Sequence, residues 1–123
     1  MDLINARVAE ATTLLCAEKV RRDLFSKFEV CFNRGIRKAS EKERRSYAIL
    51  WTEFDKSEEI IFEDDIIEEL IDNIIAAGYE IAFCYNHPAT YNPCGLVVAW
   101  GPNPMEEIDK FFKTNDLNLY KGE

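Results

Sequence analysis

Residues 3 to about 38 repeat apolar side chains at helical spacing, and a single helix of that length is longer than a globule of this size is wide. The stripe runs Ile4, Val8, Ala11 and Leu15, then shifts to Leu24, Phe28 and Cys31, with Phe25, Phe32 and Ile36 alongside. Spacings of three and four place these side chains on one broad face. Such a helix is roughly 50 Å long, whereas a compact chain of 123 residues is about 35 Å across. Either the helix breaks, with Asn33-Arg34-Gly35 as the candidate stop, or one end projects and packs on another copy. The second outcome, projection with self-association into a homo-oligomer, is the expectation.

The rest of the chain reads as a small α+β domain. Ser46 to Phe54 alternates apolar groups on both faces, as a first strand does. Residues 55–63 are ambiguous: Glu59-Ile60-Ile61-Phe62 fits a fourth, edge strand or the lead-in to a helix. A second helix follows, capped by Asp64 or a neighbour, with Ile66, Ile67, Leu70, Ile71, Ile74 and Ile75 on one face and Gly78 as its stop. Tyr79 to Tyr85 and Leu96 to Trp100 are two further strands. Asn103 as cap, Pro104 and Glu106 then open a short helix to about Lys113, and Leu117, Leu119 and Tyr120 pack locally or fray. The predicted order is α-β-α-β-β-α in one domain over residues 1–123, with a three-stranded sheet. Strands two and three are read as antiparallel neighbours, and the helical crossover permits strand one to pair in parallel with strand two. Every strand is apolar on both faces. Two short helices would cover one face, leaving the long helix or a second copy for the other.

Charge is divided along the chain. Residues 1–50 hold eleven Lys/Arg against seven Asp/Glu, and residues 51–123 hold four against sixteen. An acidic protein of net charge −8 repels nucleic acid, so direct DNA binding is not expected, and basic proteins or grooves are the favoured partners. No run approaches about 18 consecutive apolar residues, so no membrane span is expected. Met1-Asp2-Leu3-Ile4-Asn5 lacks the basic, then apolar, pattern of a secretory leader, which points to a cytoplasmic location. In that compartment Cys16, Cys31, Cys84 and Cys94 are expected as thiols.

One resemblance is visible. Ile74 to Phe83 (IIAAGYEIAF) and Gly95 to Gly101 (GLVVAWG), separated by a variable loop, resemble the C-terminal half of small tailed-phage α+β accessory proteins. The likeness covers residues 25–101 in layout and rests on Gly78, Tyr79 and Trp100 with the alternation around them. It implies a viral accessory or virion protein working in a host cytoplasm, and it transfers no functional residue. The Pro104 helix is additional to that layout.

Chemistry-bearing residues gather in the loop from Cys84 to Cys94. Tyr85, Asn86, His87, Thr90, Tyr91 and Asn92 offer flat rings and polar tips suited to a small planar ligand, such as a nucleotide base, or to a protein epitope. Cys84, His87 and Cys94 are zinc-type ligand residues at C-x2-H-x6-C spacing, but a fourth ligand is missing, so no metal is assigned. A Cys94–His87 nucleophile pair lacks an oxyanion hole and an orienting third group, so no catalytic residue is assigned and no cofactor is implied. Asp64, Asp65, Glu68, Glu69 and Asp72 alternate with isoleucines as the polar face of a helix, and the same carboxylates could meet a basic partner. Arg34, Arg37, Lys38, Lys42, Arg44 and Arg45 form a basic run that would neutralise an acidic neighbour or hold the phosphate of a small nucleotide. These features favour a non-enzymatic protein that binds a host protein or nucleotide signal stoichiometrically. A minor virion component and a small hydrolase using Cys94 and His87 are the alternatives.

Overall fold

The computed structural model describes residues 1–55, 59–63, 65–87, 91–114 and 119–122. The order is α1 (Ala6–Glu41), β1 (Ser46–Leu50), a 3-10 turn (Trp51–Glu53), α2 (Glu59–Glu63), α3 (Ile66–Ala76), β2 (Glu80–Tyr85), β3 (Gly95–Ala99), α4 (Pro104–Thr114) and β4 (Tyr120–Lys121). The α+β class and the long leading helix are as read from the sequence.

Helix α1 runs unbroken for 36 residues, roughly 54 Å, with Asn5 capping its start by accepting the Val8 amide at 3.0 Å. Gly35 does not stop it. A side chain there would meet the Tyr47 ring, 2.1 Å from Cζ, so glycine is where β1 presses an aromatic ring against the helix. The buried positions are Leu24, Phe28, Phe32, Gly35 and Ala39, a stripe confined to the C-terminal half. From Met1 to Val20 every residue is exposed, so the first half of the helix is an arm beyond the body.

The sheet has the order β1-β3-β2-β4, and every pairing is antiparallel. The parallel pairing that the crossover would permit between the first two strands does not form: β3 lies between them. It pairs Tyr47 with Val98 on one side and Ile81 with Val98 on the other. β1 also ends earlier than expected, because its partner β3 begins at Gly95, opposite Leu50. The chain there turns, burying Trp51 completely, and the indole N–H donates to Pro93 O at 2.8 Å. The ambiguous segment at 59–62 is helical, and the fourth strand comes instead from the tail, where Tyr120 and Lys121 pair with Tyr85 and Cys84. Helix α3 begins after Asp65, which has φ 53° and makes no side-chain cap. Gly78 follows its end at φ 99°, the left-handed backbone that terminates helices. Ile75 is a correction to the predicted apolar face, since it is 54% exposed.

All five residues of β3 are buried, and its two faces meet different neighbours. Ile49, Leu96 and Val98, with Tyr47, Ile81 and Phe83, face the aromatics of α1 and the stripe Ile66, Leu70 and Ile74 of α3. Val97, Ala99 and Cys84, with Ala48, Leu50 and Ala82, face Ile108, Phe111 and Phe112 of α4, and Leu119 closes the edge. The chain therefore covers both faces itself, with the long helix serving as lid as one of the two expected alternatives had it. The expectation that the two short helices share one face is corrected, since α3 lies with α1 and α4 lies on the other face. The reason is side-chain size. The face built largely of alanine, valine and cysteine needs only one short helix, whereas the face of isoleucine, leucine, phenylalanine and tyrosine takes α1 and α3 together. A run of rings stitches that second face: Trp51 to Phe54 (6.0 Å), Phe54 to Phe28 (5.1 Å), Phe28 to Phe32 (5.6 Å), Phe32 to Tyr79 (5.2 Å) and Tyr79 to Trp100 (5.9 Å). Four of the five are edge-on contacts, the arrangement ring quadrupoles favour.

Two close approaches differ in what blocks them. At Gly95 a Cβ would stand 2.1 Å from Ile49 O and 2.9 Å from Leu50 Cα, both main-chain atoms. At Gly35 the obstacle is a ring that can swing. Gly95→Ala is expected to lower unfolding stability by about 3 kcal/mol and Gly35→Ala by about 1 kcal/mol, measured by urea denaturation. Combining Gly35→Ala with Tyr47→Leu should cost less than the sum of the two single changes, because the second removes the obstacle.

The Tyr47 hydroxyl donates to Glu53 Oε2 at 3.2 Å. Burial, and then the Glu53 carboxylate, push its pKa up to about 12. The folded chain prefers the neutral phenol, so this contribution to stability is complete below the unfolded value of about 10 and is lost as pH rises through about 12. Alkaline titration should show a late tyrosinate step that Tyr47→Phe removes, together with the matching decline in stability over that window.

Candidate functional site

The loop between β2 and β3 is the first candidate. Tyr85 ends β2 beside Tyr120, and its ring lies over Gly122, where an added Cβ would come within 2.6 Å of it. Asn86, His87 and Asn92 are exposed, and Tyr91 is 98% exposed at the loop's far side. Thr90 lies outside the described residues. The described loop residues thus form an outward-facing surface, and Tyr85 is turned toward the tail.

At the base of this loop two thiols meet. Cys84 is fully buried and Cys94 is half-buried, with Sγ atoms 4.0 Å apart. The Cys94 thiol donates to Cys84 O at 3.4 Å, and the Cys94 amide donates to the same oxygen at 2.9 Å. Gly95 is the register partner of Cys84, so two residues of one strand oppose one of the other, as in a β-bulge. Simple alternation would send Cys94 to the face opposite Gly95 and Val97; the extra residue turns it to the α4 side beside Cys84. Burial, with Cys94 adding to it, pushes the Cys84 thiol well above the ordinary thiol range. Among the described residues, which include Cys84, His87 and Cys94, no three His, Cys, Asp or Glu side chains gather as a metal cage.

The acidic face is the second candidate. Asp65, Glu68, Glu69 and Asp72 are all exposed along α3, and Asp64 lies outside the described residues. Glu69 is already engaged, since it forms an ion pair with Arg21 of α1, and the Arg21 guanidinium also sits 5.3 Å from the Phe25 ring centroid. The cation that meets this face lies upstream of the basic run from which it was expected. Both partners are substantially exposed, so the pair orients the two helices more than it stabilises them.

The basic run is distributed around the end of α1. Arg34, Arg37, Lys38, Lys42, Arg44 and Arg45 are all exposed. Arg44 and Arg45 join Lys110 of α4 and the Trp100 ring in a cleft of about 580 Å³, whose walls also carry Ser40, Glu43 and Glu107. The sequence contained these arginines, but only the tertiary structure completes the cleft: the pairing of β1 with β3 brings Trp100, whose amide donates to Arg45 O at 3.1 Å, and the packing of α4 brings Lys110.

The projecting half of α1 is the third candidate. Val8 (51%), Leu14 (60%), Leu15 (67%) and Val20 (45%) are exposed, as are Leu3 and Ile4 before the helix. Where the arm leaves the body, a groove of about 690 Å³ opens between Val20, Leu24 and Lys27 on one side and Phe54, Asp55 and Ile60 on the other. No helix among the described residues is long and apolar enough to cross a membrane. No protein family, curated protein or solved structure matches this chain.

Proposed function

We propose that this protein acts by stoichiometric binding without catalysis, and that it does so as a homo-oligomer joined through the N-terminal half of α1. The exposed apolar arm carries this reading: Val8, Ala11 and Leu15 recur along α1 at spacings of three and four, the pattern that seats one helix against another. A second copy is the favoured occupant on charge. The arm mixes Asp2, Glu10 and Glu18 with Arg7 and Lys19, so two arms approach with little net repulsion. Residues 51–123, with sixteen acids against four bases, repel their own copy. Pairing arms leaves the loop at Tyr91 and the acidic residues of α3 open to a further partner. A basic host factor is the class that the charge and the tailed-phage resemblance favour.

A nucleotide signal is the second reading. It rests on Arg44, Arg45 and Lys110 beside Trp100. Glu43 and Glu107 in the same cleft weaken it by like-charge repulsion toward phosphate. Native mass spectrometry with cyclic nucleotides separates the two readings, since only the second expects a retained ligand that Arg44→Ala and Arg45→Ala release.

Light scattering on the full chain tests the first reading. The wild type should give a multiple of the 14.3 kDa chain mass. Val8→Glu with Leu15→Glu should give the single-chain mass and leave urea stability of the body within about 0.5 kcal/mol, because neither side chain touches it. A wild type that scatters as one chain overturns the proposal.

A further inference from the structure

We propose that Cys84 and Cys94 form a redox-active dithiol that closes to an intramolecular disulfide by exchange with a small disulfide such as oxidised glutathione. Three observations bring it within reach. The sulfurs are 4.0 Å apart, so a modest rotation closes them to bonding distance. The extra residue at the start of β3 places both side chains on the α4 face rather than on opposite faces. The Cys94 amide already bonds to Cys84 O at 2.9 Å, holding the two backbones side by side.

Exposure orders the steps. Cys94, the more accessible thiol, gives up its proton and attacks the incoming disulfide, forming a mixed disulfide and releasing one small thiol. Cys84 then loses its proton and attacks the Cys94 sulfur, expelling the second small thiol. The two protein thiols are oxidised to one disulfide, and the small disulfide is reduced to two thiols. Burial holds Cys84 as a thiol at neutral pH, so the closing step should quicken with rising pH. The bridge would staple the base of the loop that carries His87 and Tyr91. It would also lie next to Trp51, whose amide donates to Cys94 O at 3.0 Å and whose indole donates to Pro93 O. Closure is therefore coupled to the loop already considered as a recognition surface, but its chemistry does not depend on the binding proposal.

The test uses the full chain in buffers of varied oxidised-to-reduced glutathione ratio, followed by acid quench, thiol labelling after unfolding, and peptide mapping. Cys16→Ser with Cys31→Ser removes the other two thiols without touching the pair. The expected result is loss of two hydrogens, with Cys84 and Cys94 cross-linked and both protected from label, and a closing rate that rises with pH. Cys84→Ser should instead accumulate the glutathione adduct on Cys94. Should that variant fail to fold, the wild-type map decides alone. A stable glutathione adduct on Cys94 without closure, or a Cys84 that takes the label across the whole redox series, overturns the proposal. The outcome is independent of oligomeric mass, so its failure is distinguishable from failure of the arm-mediated association.

Discussion

Strand β3 has no face it can leave in water. Leu96, Val97, Val98 and Ala99 are fully buried, and each of the three larger side chains contributes about 1.5–3 kcal/mol by leaving solvent. Such a strand has to be central, flanked on both edges and covered above and below. The rest of the architecture follows. β1 and β2 take the two edges, α1 and α3 lie over one face, and α4 with Leu119 lies over the other. Gly95 is the corner where this arrangement is tightest, since β1 passes within contact of its backbone.

The division of side-chain size between the two faces sets how much of α1 the body can hold. The bulky face is filled by α3 and by the stretch of α1 from Leu24 to Ala39, through the rings that run from Trp51 to Trp100. Beyond Leu24 toward the N-terminus no residue of α1 is buried, and its meeting with the described body narrows to the Arg21–Glu69 pair and the groove walled by Val20. The remaining apolar positions stay exposed although the helix continues, because main-chain hydrogen bonding propagates a helix without tertiary help once a packed half has nucleated it. The arm is thus a consequence of a helix longer than its own core.

Much of the fold was legible in local pattern. Gly78 after a run of isoleucines, Pro104 after Asn103, and the short apolar runs of β2 and β3 located elements to within a residue or two. The errors share one cause, which is that pairing partners are chosen in three dimensions. Ser46 to Phe54 alternates throughout, yet β1 stops at Leu50 because β3 offers nothing beyond Gly95. Tyr120 and Lys121 have no strand pattern, yet they pair with β2 because its outer edge is open. Gly35 looks like a stop, but the Tyr47 ring fills the space that its missing side chain leaves. The same limit applies to the sites. Cysteines at 84 and 94 look like residues on opposite faces until the extra residue of β3 turns one of them over.

By itself, then, the sequence determined the α+β class, the long leading helix, the positions of most helices and strands, and the split between a basic first part and an acidic remainder. These are properties of spacing and composition, which act within a few residues. Only the tertiary structure decided that β3 is central, that one short helix suffices for the small-residue face, that Arg21 rather than the later arginines meets Glu69, and that Lys110 and Trp100 join Arg44 and Arg45. Those outcomes depend on which surfaces match in size and charge once distant segments are brought together, and no local window of the chain contains that information.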